Sequence, residues 1–146
     1  MTIGNFDGMH VGHRRLIEVC RSLRTDRTSG LAVVTFEPHP LTVLKPQLAP
    51  PRLSPRTIKE QLLEQAGVDY LVELPPAPQV LNLTAEQFWT LLRDEIKPTD
   101  LVEGANFNFG KGRAGNIDSL RQWSAQSDVR LHVIDPVTVV LLDLRI

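Results

Sequence analysis

The run Leu31-Ala32-Val33-Val34-Thr35-Phe36 leaves a chain of this kind few folds to choose from. It is apolar at consecutive positions and rich in β-branched residues, with no polar face to offer to water. That pattern predicts a strand covered on both sides, the setting of a parallel sheet. Glu37-Pro38-His39-Pro40 ends it, because proline cannot donate to a ladder and stiffens the exit. Similar strands are expected at Met1 to Ile3, Tyr70 to Leu74, Asp100 to Glu103, Arg130 to Ile134 and Val137 to Leu144. Segments of helical period lie between them.

The first helical segment, Arg14 to Leu23, puts Leu16, Ile17, Cys20 and Leu23 on one face. In the second, Ser54-Pro55 reads as an N-cap with a first-turn proline. Ile58, Leu62, Leu63 and Ala66 form its apolar face, Lys59 and Glu60 fall on a solvated face, and Gly67 closes it. Thr84 and Gln87 form a capping box ahead of Phe88, Leu91 and Leu92, with Trp89 as packing, and Lys97-Pro98 stops that helix. Asn116 caps a last helix with Ile117, Leu120 and Trp123 inward. Leu41 to Arg52 and Pro75 to Pro78 are expected to be loops. His132, within a strand, is expected to be structural. The alternation implies one α/β domain over residues 1–146, a mostly parallel sheet flanked by helices with right-handed crossovers.

Sixteen Lys and Arg against seventeen Asp and Glu leave a net charge of −1, so no basic excess is available to hold a nucleic-acid backbone. No apolar run is long enough to span a membrane. The single cysteine, Cys20, sits on the apolar face of its helix as a core residue, and with no disulfide possible within the chain a reducing, cytoplasmic setting is expected. Oligomeric state is not legible.

Two stretches carry chemistry. In Gly4-Asn5-Phe6-Asp7-Gly8-Met9-His10-Val11-Gly12-His13, two histidines stand in a glycine-rich turn between a strand stub and a helix start. Free N–H groups at a helix start favour an anion, glycine lets a phosphate approach the backbone, and histidine adds donors or charge. The plain alternative is a solvated turn with two incidental histidines. Metal ligation by His10 and His13 is not expected, because no cysteine or carboxylate completes a ligand pattern. The second stretch runs from Gly104 to Gly115, with Asn106, Phe107, Phe109, Lys111 and Arg113. Its glycines permit close approach, Lys111 and Arg113 can meet phosphate, and an aromatic ring can lie on a flat ligand. It is not a Walker A loop, since Gly112 follows Lys111 where Ser or Thr would stand.

His10-Val11-Gly12-His13 matches the HxGH motif of the nucleotidyltransferase superfamily. The longer string from Thr2 to His13 resembles the opening motif of prokaryotic bifunctional FAD synthetases (riboflavin kinase and FMN adenylyltransferase). Thr35 to Pro40, Lys59 to Leu74 and Gly104 to Gly115 resemble later segments of that family, in the expected order. Pro76 stands where the family often has phenylalanine.

The resemblance implies a Rossmann-like nucleotidyltransferase fold and transfer of AMP from ATP to FMN, with Mg²⁺. It implies His10 and His13 as catalytic, and Gly4, Asn5, Phe6, Asp7, Gly8, Gly12 and Asn106 on the ATP side. Phe36, Glu37, Pro38, His39, Asn106 and Phe109 would hold FMN. Asn5 and Asp7 would order the turn or the metal environment. The family's Ser/Thr-rich ATP-binding segment should begin where Leu144-Arg145-Ile146 stands, and nothing resembles a riboflavin kinase domain. The expectation is an adenylyltransferase module truncated at its C-terminal end. Alternatives are a nucleotidyltransferase for another acceptor, such as nicotinamide mononucleotide or phosphopantetheine, and a non-catalytic nucleotide- or flavin-binding module.

Overall fold

The computed structural model describes residues 1–26 and 28–138. In chain order its elements are β1 (Thr2–Ile3), α1 (Val11–Ser22), β2 (Ala32–Phe36), α2 (Leu41–Leu44), α3 (Arg56–Gln65), β3 (Tyr70–Leu74), α4 (Pro78–Leu81), α5 (Ala85–Leu91), β4 (Asp100–Gly104), β5 (Asn108–Phe109), β6 (Gly115–Asn116), α6 (Ile117–Ser124) and β7 (Arg130–Ile134). The strand expected over Val137 to Leu144 falls mainly outside the described residues.

Parallel pairing runs β1-β2-β3 on one side and β4-β7 on the other. The Val102 amide donates to the Met1 carbonyl at 2.9 Å, which brings β4 beside β1. The strand order is therefore 3-2-1-4-7, an α/β sheet wound both ways from β1. Chain leaves β1 toward β2 and returns on the far side as β4. In such sheets ligands bind outside the carboxyl ends of the strands at the point of reversal, here above Ile3 and Glu103.

Glu103 marks that point. It is 1% exposed, and its Oε1 accepts the Ile3 amide at 2.7 Å. A side-chain carboxyl thus takes a donor beside the β1–β4 pairing. Burial pushes this carboxyl well above the usual range, against the effect of the Ile3 amide.

Val33 and Val34 are both fully buried, as the apolar run requires, and they point into different clusters. One joins Val34 to Phe88, Trp89, Leu101, Phe109 and Leu120. The other joins Val33 to Phe6, Ile17, Cys20 and Leu63. Burial pushes the Cys20 thiol up to about 11, which suits a packed core residue. Trp89 is 3% exposed and packs on Trp123. Both expected caps form: Thr84 with Gln87, and Asn116 accepting the Ser119 amide at 3.0 Å. His132 bonds Asp100 at 2.8 Å, and Arg130 grips the same carboxylate, holding it well below the usual range.

Several expectations are corrected. The stretch Leu41 to Arg52 contains the single turn α2 and a 3₁₀ turn at Pro46–Leu48. The prolines that weaken a periodic pattern also preset helical φ. Pro78–Leu81 forms a further turn. Ser54 does not cap α3, which starts at Arg56 behind Pro55. Lys59 is not on a solvated face; it is 4% exposed and bonded. Ile58, expected inward, is exposed.

The loop from Gly104 to Gly115 folds into a hairpin, with Asn108 opposite Asn116 and Phe109 opposite Gly115. Two of its glycines, Gly110 and Gly115, serve packing against Ala85. A Cβ on Gly110 would lie 2.6 Å from the Ala85 backbone, at a φ of 74°. Gly110→Ala is therefore expected to destabilise the fold by roughly 1–3 kcal/mol. Gly104→Ala, with nothing within 4 Å of its added methyl, should change stability by less than about 0.5 kcal/mol. Denaturant unfolding of the two variants checks this, and equal losses would contradict it.

Candidate active site

The turn after β1 is strained and tightly anchored. Phe6, Gly8 and Met9 have φ of 49°, 71° and 39°. Left-handed backbone at Phe6 and Met9 costs about 1–3 kcal/mol each. Burial offsets it, since Phe6 and Met9 are 0% and 2% exposed and a fully buried large apolar side chain contributes about 1.5–3 kcal/mol. Phe6 is thus a core anchor and not a side-chain contact for ligand. Its ring centroid lies 4.7 Å from that of His13.

Asp7 fastens the turn from the other side. Its Oδ2 accepts the Leu53 amide at 2.8 Å, and its Oδ1 accepts the Ser54 amide at 2.8 Å and the Ser54 hydroxyl at 3.1 Å. The Ser54 Oγ accepts the Gly8 amide at 2.9 Å. Burial works against the charged form, yet the Leu53 and Ser54 bonds hold the Asp7 carboxyl below the usual range. Ser54 is missed by sequence reasoning because Ser-Pro before a periodic segment fits a cap equally well.

His10 caps α1: its Nδ1 accepts the His13 amide at 3.3 Å. The two imidazoles stack with centroids 3.6 Å apart and planes 20° from parallel. Gly12 makes room for this, because a Cβ there would lie 3.1 Å from His10 Cε1. Burial, then the neighbouring His10, push His13 down to about 4, and Lys59 adds to the effect. His13 is therefore neutral near pH 7. Its Nδ1 is buried and has no partner among the described residues, an uncommon state for a buried polar atom that asks for a reason.

Two cavities flank the turn. The larger, about 260 Å³, is lined by Gly4, His10, Gly12, His13, Glu103, Gly104, Asn106 and Phe107 among others. It sits at the carboxyl ends of β1, β4 and β7. The smaller, about 80 Å³, is lined by Asn5, Asp7, Phe36, Glu37, Pro38, His39, Arg52, Ser54 and Lys59 among others. Most expected site residues are therefore gathered around one turn, on two sides of it.

Three are not. Phe109, like Phe6, is a core residue, 6% exposed; Phe107 stacks on it with centroids 5.5 Å apart and is the ring on the cavity wall. Phe107 lies over Phe109 and is only partly buried, an order in depth set by the core beneath them that a loop reading could not resolve. Lys111 and Arg113 are exposed on a 3₁₀ turn and line neither cavity. His39 lies in the smaller cavity, where its Nδ1 accepts the Leu41 amide at 3.1 Å. Burial pushes it down despite Asp7.

The low His13 value has a consequence for stability. An unfolded histidine takes up a proton near 6.5 and the folded one near 4. The unfolded chain thus binds more protons in that window, and stability falls as pH drops from 6.5 toward 4. Replacing His13 with Asn should flatten this part of the stability profile, as measured by thermal unfolding across pH. An unchanged slope would contradict the assignment.

Comparison with known proteins gives the family and the fold. The chain matches the FAD synthetase family over residues 1–141. It is 35% identical over 130 residues to a FAD synthetase of Listeria monocytogenes, covering 88% of this chain and 52% of that one. It is 37% identical over 118 residues to a bifunctional riboflavin kinase/FMN adenylyltransferase of Escherichia coli, covering 80% and 38%. The chain thus spans about half or less of the length of these relatives. A crystal structure from Streptococcus pneumoniae described as a macrolide-efflux protein superposes with a TM-score of 0.81 at 25% identity, over 94% of this chain and 46% of that one. Among the described residues no helix is long and apolar enough to cross a membrane. The histidine turn, the Phe36 to Pro40 exit and the Asn106 hairpin all lie within the matched span, and the chain belongs to the FAD synthetase family.

Proposed function

We propose that this chain is an FMN adenylyltransferase module. An FMN phosphate oxygen attacks the α-phosphorus of ATP, the bond from that phosphorus to the bridging oxygen breaks, and pyrophosphate leaves as FAD forms. One observation carries the reading. The turn from Gly4 to His13 is a shared wall between two cavities, with His10, Gly12 and His13 on one side and Asn5 and Asp7 on the other. A transfer between two phosphates needs such a wall, with donor and acceptor brought to one place.

In this reading ATP takes the larger cavity. Gly4 and Gly12 admit its phosphates to the backbone, and His10 and His13 donate hydrogen bonds to the group in transfer. The acceptor phosphate is already a nucleophile, so positioning and charge stabilisation supply most of the acceleration. A neutral His13 gains a proton more readily once polyphosphate adds negative charge beside it. Asn106 and Phe107 hold the nucleotide at the wall formed by β4. FMN takes the side of Phe36, Glu37, Pro38 and His39. A cavity of about 80 Å³ does not enclose a ring system, since such sites run to about 300 Å³ or more. The flavin would therefore extend over the neighbouring segment, where Val43, Leu44, Leu48 and Leu53 are exposed.

Mg²⁺ belongs to the substrate Mg-ATP in this reading. Asp7 is the carboxylate of the turn, and both its oxygens already accept protein donors. Among the described residues no group of three or more His, Cys, Asp or Glu is placed to hold a metal, and no step is assigned to the ion. A cytoplasmic, reducing setting is part of the same proposal, supported by a single cysteine, Cys20, that is free and can form no disulfide within the chain.

The test is chromatographic detection of FAD from FMN and Mg-ATP, with nicotinamide mononucleotide and phosphopantetheine as competing acceptors. FMN is expected to be the acceptor used. Replacing His10 and His13 together with Ala should cut turnover by about 100-fold or more. Preferential adenylylation of another acceptor, or folded chain that neither binds FMN nor makes FAD, would overturn the proposal.

A further inference from the structure

We propose that Lys59 is a positioning residue, its buried ammonium joining the loop after β2 to the turn after β1 and so holding the acceptor cavity in register with the donor side. The proposal rests on the adenylyl-transfer reading and assigns it a residue outside the histidine turn.

The Lys59 Nζ donates to Thr35 Oγ1 at 3.1 Å and to Glu37 Oε2 at 3.3 Å. The Thr35 hydroxyl in turn donates to the Asn5 carbonyl at 3.3 Å. The other Glu37 oxygen accepts from Arg52. One side chain on α3 therefore reaches Glu37 on the acceptor loop and, through one hydroxyl, Asn5 on the histidine turn. Lys59 and Glu37 line the smaller cavity together with Asn5. Burial alone does not explain this arrangement. An ammonium taken out of water is unfavourable unless paired, and replacing a buried ion pair with well-packed apolar groups is often neutral or stabilising. A position that served packing only would do as well with Met or Leu.

The placement suggests what the charge is for. Glu37 is held below the usual carboxylate range by Arg52 and Lys59, against its own burial, so it stays an ionised partner fixed from two sides. The Lys59 charge also reaches across the turn to His13, which it helps to keep neutral. In-line attack tolerates little slip between acceptor oxygen and phosphorus; a misplacement of about 1 Å from a remote change can cost about 100-fold. A link from α3 to both loops limits that slip.

Lys59→Met tests this, with Thr35→Val as a second variant that keeps volume and removes only the hydroxyl link. FMN affinity is read by flavin fluorescence, ATP affinity by calorimetry and folding by thermal unfolding. Lys59→Met is expected to weaken FMN binding about tenfold or more with ATP affinity unchanged, and to lower the melting temperature because Glu37 is left with Arg52 alone. Thr35→Val should shift FMN affinity in the same direction, and it decides the matter if Lys59→Met does not fold. Unchanged FMN affinity in a folded variant overturns the proposal. So does a parallel loss of FMN affinity, ATP affinity and melting temperature, which is what a merely structural lysine gives. A parent chain that binds no FMN overturns instead the underlying reading.

Discussion

A central strand with neighbours on both sides, reached by crossovers in opposite directions, must open at its carboxyl end. β1 is that strand. β2 lies on one side of it and β4 on the other, and Glu103 takes the Ile3 amide where they meet. The site follows from that opening. The chain leaving Ile3 has to turn above the gap and start α1, and it does so through left-handed backbone that buried Phe6 and Met9 hold in place. His10 then caps α1 and His13 stacks on it, with Gly12 leaving room for the contact.

The turn is held from both faces, and this separates the two cavities. Asp7 binds the backbone of Leu53 and Ser54, which ties the turn to the segment before α3. Lys59, on α3, reaches Thr35 and Glu37 after β2. Charges that could have met a ligand or metal are thereby committed to structure, while the histidines and the glycine backbone remain on the larger cavity. That division of labour suits a reaction whose nucleophile needs no activation, only placement.

Much of this was legible in the chain. Consecutive apolar residues in Leu31 to Phe36 required a strand covered on both faces, and Val33 and Val34 do point into two clusters. Caps at Thr84 and Asn116 are local in sequence, so they read correctly. The misses share a cause. Lys59, Ser54, Phe6 and Phe109 each take their role from partners distant in sequence. A helical period assigns Lys59 to water because it weighs side chains by polarity, and nothing local announces Glu37 as its partner. Gly110 and Gly115 looked ready for phosphate, yet the close approach they permit is to Ala85. Lys111 and Arg113 had the right charge, and the hairpin carries them away from both cavities.

The central claim is that one turn separates a donor cavity from an acceptor cavity, and a backbone amide map tests it most directly. ¹⁵N-labelled chain is titrated with Mg-ATP and with FMN in separate experiments. The account predicts that Mg-ATP shifts Gly4, Gly12, His13, Gly104, Asn106 and Phe107, while FMN shifts Phe36, Glu37, His39 and Arg52, with Asn5 to Asp7 responding to both. Two ligands moving one common set of amides, or FMN acting through Gly104 to Phe107 alone, would contradict it.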